Sequence, residues 1–385
     1  MALRVENIRL HEFRGYSDFL LDDLSSFVII KGPNAVGKTN LVEALRLLTT
    51  GESFRARRWG ELVSWGRDAC EVQALFCDEP RRVEHAVAIR GEKHSFLVNG
   101  KKRKQSAFSD STSSVLFTPD DLQLVKASSA FRRDELDGIG KQLSKPYGKL
   151  LKDYRKSLKQ RNALLKEEDV PESVMQSWDD SLIAIGAHLC AKRQALFARV
   201  KARMEEVYAE ISQGEDFTAV YLPSWERFDG DGRQVDDPVS LQGGEGVADA
   251  ATILDEISTL ARRVAASERQ RRTTLFGPHK DEVVFFIDGK NARLFASQGQ
   301  QRSIVLAEKI AALSVMEEIS GQKPFLLLDD VMSELDELRC NCLASFFSSC
   351  AQTFVTTTNL GYFTDEVLDA ARVVELPVEG TRHIY

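Results

Sequence analysis

One glycine-rich segment constrains the fold of this chain more than any other. The segment 32–39, GPNAVGKT, follows the apolar run 27–31 and precedes residues 38–50, whose apolar positions recur at helical spacing. A strand, a glycine-rich loop and a helix in this order form a P-loop, in which backbone N–H groups and the helix N-terminus converge on phosphate oxygens. The residues expected to contact the nucleotide are Gly32, Pro33, Asn34, Ala35, Val36, Gly37, Lys38, Thr39 and Asn40.

A second segment supplies the acids that such a loop requires. The apolar run 325–328 ends in Asp329 and Asp330, and an uninterrupted apolar run is typical of a strand covered on both faces. We predict that Lys38 contacts the β and γ phosphates and that Thr39 and Asp329 hold Mg²⁺. Asp330 is expected to polarise the attacking water, with Lys38 and Asp330 as the catalytic pair. An N-capping aspartate at a strand-to-helix turn is the alternative for Asp330.

The two halves of this site are far apart in the chain. Asp329 follows Thr39 by 290 residues, and the intervening part changes character. Residues 1–118 predict strands at 2–10, 27–31, 71–77, 82–90, 94–98 and 114–117, and residues 275–385 predict strands at 283–287, 325–328, 353–357 and 372–375. We therefore expect two half-domains, 1–118 and 275–385, separated by an inserted helical lobe at 119–274.

The insertion shows helical periodicity from about 120 to 213. Two long antiparallel helices are predicted, separated by the helix-breaking segment 167–171, EEDVP. A surface loop at 224–248 and a further helix at 249–272 complete the lobe. The predicted fold class is α/β, with mixed sheets, flanking helices and this inserted lobe.

Composition excludes several other classes of protein. The chain has 385 residues, 43% hydrophobic and 28% charged, and a formal net charge of −7. No run of about 18 apolar residues predicts a membrane span, and residues 1–13 lack the apolar core of a signal peptide, so we expect a cytoplasmic protein with no membrane partner. The six cysteines match no zinc-binding spacing.

The segment 297–302, SQGQQR, indicates which class of P-loop protein this chain resembles. It resembles the signature motif of ABC-type ATPases, although Gln298 replaces the first glycine of that motif. The resemblance implies that Ser297, Gly299 and Gln300 contact the nucleotide of a second subunit, so that two ATP molecules join a head-to-tail homodimer. Residues 333–336 resemble the D-loop of the same class, and 356–359, TTTN, stands where a histidine is usual.

Stretches along the whole chain resemble one family within this class, the bacterial RecF recombination mediators. The matching residues are 13–16 (FRGY), 32–40, 52–56, 116–137, 154–166, 178–189, 277–285, 297–302 and 326–336. The resemblance implies slow, DNA-stimulated ATP hydrolysis at gapped DNA. It also implies the partners RecR and RecO, with which the family helps to load the recombinase RecA.

Clusters of basic residues indicate where DNA could bind. Nine Lys or Arg residues and one acid lie between 141 and 166. A basic helix face suits the phosphate backbone of duplex DNA or of a single-strand/double-strand junction, without base reading. A solvated face paired with acids elsewhere is the alternative. The candidate residues are Lys149, Lys152, Lys156 and Lys159 in this segment and Lys101, Lys102 and Arg103 after the Asn99-Gly100 turn, with the basic pairs at 262–263 and 269–272 as a third set.

Three further interpretations stay open at this level. His279 is expected to have a structural role in a turn, and Arg55 and Arg57 are candidates to reach the nucleotide. An ABC ATPase subunit that energises a transporter is the alternative function, although the basic helices count against it. A DNA-binding protein with a degenerate ATP site is a third possibility, against which the intact Lys38 and Asp329 count.

Overall fold

The computed structural model describes residues 3–78, 80–108, 110–212, 214–227 and 248–377. It divides into two compact units, one formed by Met1–Leu122 together with Ala312–Tyr385 and the other by Gln123–Ala311. The chain thus leaves the first unit once and returns to it. Most of the loop predicted at 224–248 lies outside the described residues.

A five-stranded parallel sheet lies at the centre of the first unit. Its strand order is β14-β3-β13-β12-β8. The central strands are buried on both faces, which accounts for the apolar runs of β3 and β12, whereas β13 buries three threonines beside Phe354 and Val355. The strands are β3 (Phe27–Lys31), β8 (Ser114–Phe117), β12 (Phe325–Asp329), β13 (Thr353–Thr357) and β14 (Arg372–Glu375), and the helices of this unit are α1 (Lys38–Thr50), α8 (Glu337–Ser345) and α9 (Asp365–Ala370).

A six-stranded antiparallel sheet completes the first unit, in the order β2-β1-β4-β5-β6-β7. Its longer strands alternate buried and exposed residues, so one face packs on α1 and the other faces outward. The strands are β1 (Arg4–Phe13), β2 (Tyr16–Leu21), β4 (Ala69–Asp78), β5 (Arg81–Arg90), β6 (Lys93–Val98) and β7 (Lys101–Arg103).

The second unit is dominated by helices: α2 (Ser129–Leu143), α3 (Lys145–Leu164), α4 (Glu172–Ile211), α5 (Ala250–Arg271), α6 (Ala292–Phe295) and the start of α7 (Gln298–Ser320). Arg161 pairs with Asp179, and Tyr154 lies against Gly186, so α3 and α4 run antiparallel. The sequence predicted two helices between residues 120 and 213, and the structure has three in this range. Ser144 ends α2 and caps α3, since its Oγ accepts the N–H of Tyr147 (3.3 Å) beside Pro146.

A small antiparallel sheet also belongs to the second unit. Its strands are β9 (Phe217–Leu222), β10 (Glu282–Ile287) and β11 (Lys290–Asn291), with β10 in the middle. Because β10 pairs with β9 along its whole length, residues 275–311 fold with the helices. The unit boundaries therefore follow Leu122 and Ala311, whereas the sequence placed them after residues 118 and 274.

No helix within the described ranges is both long enough and apolar enough to span a membrane.

Candidate nucleotide site

The P-loop joins β3 to α1, where the sequence predicted it. Gly37 has φ 110°, and a Cβ there would lie 3.1 Å from the hydroxyl oxygen of Tyr16, so only glycine fits without strain. Gly32 is constrained by its contacts, because a Cβ would lie 2.9 Å from Val36 Cγ1 and 3.0 Å from the carbonyl oxygen of Leu376. The Tyr16 hydroxyl donates to the Gly37 carbonyl oxygen (3.0 Å) and anchors the loop to β2.

The side chain of Lys38 points back into the P-loop. Its side chain is buried, and Nζ donates to the carbonyl oxygens of Gly32 (2.8 Å) and Pro33 (3.0 Å). Burial lowers the pKa of Lys38, while the carboxylates of Asp330 and Asp329 oppose this shift. The ammonium group is therefore placed where a P-loop lysine meets phosphate oxygens.

The two distant halves of the predicted metal site meet directly. Thr39 Oγ1 donates to Asp329 Oδ1 (3.0 Å), and Thr356 Oγ1 donates to the same oxygen (2.8 Å). Thr356 lies opposite Asp329 in the pairing of β12 with β13. Burial raises the pKa of Asp329, and the hydroxyl groups of Thr356 and Thr39 lower it in part. The sequence did not single out Thr356 among the three adjacent threonines.

Asp330 occupies the turn immediately after β12. Its φ is 55°, and its N–H donates to Thr356 Oγ1 (2.9 Å). The short helical turn that follows, Met332–Glu334, has Val331 at its N-cap. Asp330 is therefore not the capping residue that was its alternative interpretation. Thr356 binds both to the carboxylate of Asp329 and to the backbone of Asp330.

A buried carboxylate that the sequence did not reveal supports the loop after α1. Glu43 is fully buried, and its oxygens accept from Arg14 Nε (2.9 Å), Arg14 Nη2 (2.8 Å) and Ser53 Oγ (2.6 Å). Ser53 Oγ in turn accepts the N–H of Arg55 (3.1 Å), and Arg55 Nη1 donates to Asn40 Oδ1 (3.1 Å). Arg55 thus lies beside the P-loop helix.

Arg57 differs from Arg55 in its contacts: its N–H donates to Glu61 Oε2 (3.0 Å) and its side chain is exposed.

The signature-like segment begins α7 in the second unit. Ser297 is exposed, and its Oγ accepts the N–H of Gln300 (3.2 Å) while its own N–H donates to Gln300 Oε1 (2.8 Å). This reciprocal capping leaves Gly299 at the N-terminal end of a long helix, which is a favourable position for an anion. Gln300 also donates to Glu215 Oε1 (2.8 Å).

The D-loop-like residues form a helix N-terminus. Asp336 caps α8 by accepting the N–H of Arg339 (3.0 Å), and Ser333 is exposed. The capping interpretation is therefore correct, and it leaves Ser333 accessible.

Most of the predicted DNA-binding residues are on the surface. Those in β7 form an exposed edge strand, and those in α3 share one exposed face: Lys101, Lys102, Arg103, Lys149, Lys152, Lys156 and Lys159. Arg161, which the sequence counted with this basic segment, is buried and pairs with Asp179 (2.5 Å) and Glu268 (2.8 Å). The helical period turns Arg161 toward the core.

His279 is part of the packing of the second unit. Nδ1 hydrogen-bonds to the Tyr154 hydroxyl (2.7 Å) and Nε2 lies 3.2 Å from the carbonyl oxygen of Thr274. Burial is the main cause that lowers the pKa of His279, to about 3. A neutral imidazole held between α3 and the turn after α5 has the structural role that the sequence predicted.

The residues present fit a magnesium nucleotide. A glycine cradle that a Cβ would fill, a buried ammonium and a Thr–Asp oxygen pair provide the donors that phosphates and Mg²⁺ require. The fold and this site define an ABC-type ATPase head.

Comparisons with known proteins place the chain within that class. The model of the RecF/RecN/SMC N terminal domain matches residues 4–375. The DNA replication and repair protein RecF of Synechococcus sp. (strain JA-3-3Ab) is 38% identical over 380 residues, covering 96% of this chain and 95% of the relative. RecF of Moorella thermoacetica is 32% identical over 378 residues, covering 97% and 95%. The chain belongs to the RecF family.

Solved structures give the same assignment. A structure of the recombination mediator protein RecF with ATP is 29% identical, with a TM-score of 0.83, and the alignment covers 94% of each chain. An Smc head bound to the C-winged helix domain of ScpA is 15% identical, with a TM-score of 0.53, covering 98% of this chain and 94% of that one, and shows the shared fold alone. The head fold is therefore common to both groups.

Proposed function

We propose that this chain is an ATP-dependent DNA-binding protein of recombinational repair and replication restart. The observation that carries the proposal is the hydrogen bond between Thr39 and Asp329, which joins residues 290 positions apart into one nucleotide site. Lys38 lies in the same site, and the named relatives are DNA replication and repair proteins. Membership of this family favours the repair role over a transporter subunit.

The residues of the site have separate tasks in hydrolysis. Lys38 contacts the β and γ phosphates, while Thr39 and Asp329 are the residues that would hold Mg²⁺. When bound, the metal ion supplies positive charge beside the phosphates. Asp330 orients and polarises the attacking water, and Thr356 fixes both acids. By family membership we expect hydrolysis to be slow and to act as a timer.

ATP also serves as the link between two copies of the chain. Ser297, Gly299 and Gln300 contact the nucleotide held by a second copy, which produces a head-to-tail homodimer with two ATP molecules. Two large apolar side chains immediately before them support an interface: Leu294 is 72% exposed and Phe295 is 70% exposed. A partner that covered these two side chains would remove apolar surface from water.

The dimer presents its basic faces to gapped or junction DNA in the cytoplasm, and contact with DNA stimulates hydrolysis. The exposed lysines of α3 and β7 provide contacts to the phosphate backbone that do not depend on sequence. By family membership the protein works with RecR and RecO to promote loading of the recombinase RecA.

ATP hydrolysis by the pure protein, with and without gapped duplex DNA, tests this proposal. We expect a low rate of hydrolysis that rises when DNA is added. Asp330→Asn and Lys38→Met should both lose ATP hydrolysis. Only Lys38→Met should also lose nucleotide binding. Hydrolysis that ignores DNA, or that survives Asp330→Asn, would contradict the proposed role of the site.

A further inference from the structure

Four basic side chains meet at one turn of the second unit, outside the nucleotide site. Arg133 Nη1 donates to the Asp281 carbonyl oxygen (2.5 Å), and Arg227 Nη1 donates to the Lys280 carbonyl oxygen (2.5 Å). Arg271 is the last residue of α5, and its charge contributes to the lowered pKa of Lys280. Lys280, Arg133 and Arg227 are partly buried, and Arg271 is exposed. We refer to these four residues as the Lys280 cluster.

The acids near the Lys280 cluster already have partners. Asp281 is fully buried and binds Arg193, the Tyr221 hydroxyl and the Ser224 N–H. The other two carboxylates are paired in the same way, Glu268 with Arg161 and Glu282 with Arg132. Among the residues that the structure describes, no carboxylate forms an ion pair with Lys280.

The cluster is electrostatically unfavourable as it stands. Burial, together with Arg133, Arg227 and Arg271, lowers the pKa of Lys280, and the Glu268 carboxylate opposes this shift in part. Like charges that converge in a partly buried turn repel one another, and the repulsion is relieved when an anion enters. A fold that keeps such a cluster gains most from a ligand that carries negative charge.

The neighbouring surface identifies the kind of anion. Exposed basic side chains gather at the C-terminal end of α5: Arg269 and Arg271 lie in its last turn, and Arg272 is its C-cap. Exposed cations at a helix end beside a recessed lysine suit a chain of phosphates better than a single small anion.

We propose that Lys280, with Arg133, Arg227 and Arg271, binds a backbone phosphate of DNA. The proposal rests on the DNA-binding function proposed above and names a contact that lies on neither α3 nor β7. Lys280 supplies the recessed charge, and Arg271 extends the contact toward the next phosphate.

The test uses the full chain with saturating ATP and Mg²⁺ and a fluorescent gapped duplex, with anisotropy measured over a series of KCl concentrations. Lys280→Gln should weaken binding several-fold and reduce the slope of log K against log[KCl] by about 0.9, the value for one phosphate contact. Lys290→Gln, which neutralises an exposed lysine of β11 in the same unit, should change neither quantity. Thermal unfolding of Lys280→Gln should not occur at a lower temperature than in the wild type, because a repelled charge is removed.

The outcomes separate this inference from the proposed function. If the wild type binds the duplex and Lys280→Gln has the same binding constant and the same salt slope, this inference is wrong and the proposed function is unaffected. Loss of stabilisation by sulfate in Lys280→Gln, without weaker DNA binding, would assign a free anion to the cluster and also overturn it. A wild-type protein that does not bind the duplex would overturn the proposed function as well. Arg271→Gln, on the surface, repeats the test if Lys280→Gln does not fold.

Discussion

Thr356 is the residue that connects the two acids of the nucleotide site. Replacing it by Val keeps the shape of the side chain and removes the hydroxyl that binds Asp329 Oδ1 and the Asp330 N–H. We expect Thr356→Val to lower the rate of ATP hydrolysis by about 10-fold to 100-fold, the usual effect of losing a group that orients a metal ligand. The magnesium concentration needed for half-maximal rate should rise as well.

The next threonine but one provides the control for this change. Thr358 is exposed, so Thr358→Val removes a hydroxyl without touching either acid. Equal rates in the two variants would show that Thr356 does not orient the site.

The ionised carboxylate of Asp329 is predicted to lower the free energy of unfolding of the protein. Because its pKa is raised in the folded protein, mainly by burial, the folded state keeps the proton to a higher pH than the unfolded state does. The free energy of unfolding therefore falls as pH rises from the ordinary pKa of 3.8 to the raised value, and this loss is complete above it.

Asp329→Asn should accordingly melt at a higher temperature than the wild type at pH 7 in magnesium-free buffer. Asparagine keeps the Oδ1 acceptor for Thr39 and Thr356 but carries no charge. The same variant should gain nothing from added Mg²⁺. A melting temperature below that of the wild type would contradict the sign assigned to this carboxylate.

The sequence predicted the residues of the site whose role follows from their neighbours in the chain. Lys38 and Thr39 are fixed by the loop that precedes them, and Asp329 by the apolar strand that ends there. Glu43 and Thr356 were not predicted, because their contacts come from strands and loops that only the tertiary fold brings together. A glutamate on a helix gives no sign in the sequence that it will be buried.

The basic residues of α3 lie on two different faces of the helix, one buried and one exposed. Arg161 lies on the buried face, where its guanidinium binds Glu268 and stacks on Phe276 at 4.7 Å. Arg161→Met should reduce the free energy of unfolding by about 3–5 kcal/mol, because the buried Glu268 carboxylate loses its partner.

Thermal and urea unfolding of Arg161→Met beside Lys159→Met would measure this difference. Lys159 is exposed on the same helix, so its replacement should change stability by less than about 0.5 kcal/mol. Similar losses in the two variants would mean that Arg161 is not a structural residue.

The exposed face of α3 is predicted to carry DNA contacts. Changing Lys149, Lys152, Lys156 and Lys159 together to Gln should weaken binding to gapped duplex DNA and lower the salt slope by up to about 3.6, or about 0.9 for each phosphate contact. Changing Lys101, Lys102 and Arg103 to Gln tests the β7 edge in the same way. The face whose variant leaves both binding and slope unchanged is not part of the DNA surface.

Periodicity predicted the elements of the second unit better than their ends. The apolar stripes identified the helices, and the segment 167–171 identified the break before α4. The division between α2 and α3 was missed because Ser144 and Pro146 interrupt a stripe that continues on both sides. Strand β9 was missed as well, since its pairing with β10 joins residues 60 to 70 positions apart.

The arrangement of the whole chain follows from one requirement of the nucleotide site. β3 and β12 lie in the same parallel sheet, separated only by β13, so the first unit cannot close until Ala312–Tyr385 has joined Met1–Leu122. The sequence predicted this split from the distance between Thr39 and Asp329. The sequence placed the end of the insertion after residue 274, before the observed boundary at Ala311, because β10 has the pattern of a strand of the first unit.

At the scale of the whole molecule, ATP is proposed to join two copies of the chain. Sedimentation velocity of the wild type, with and without ATP and Mg²⁺, tests it most directly. We predict a monomer without nucleotide and a dimer with it, a monomer in both conditions for Lys38→Met, and a dimer that persists for Asp330→Asn because the nucleotide is bound but not cleaved. A wild-type chain and an Asp330→Asn variant that both remain monomeric in saturating ATP and Mg²⁺ would contradict the account.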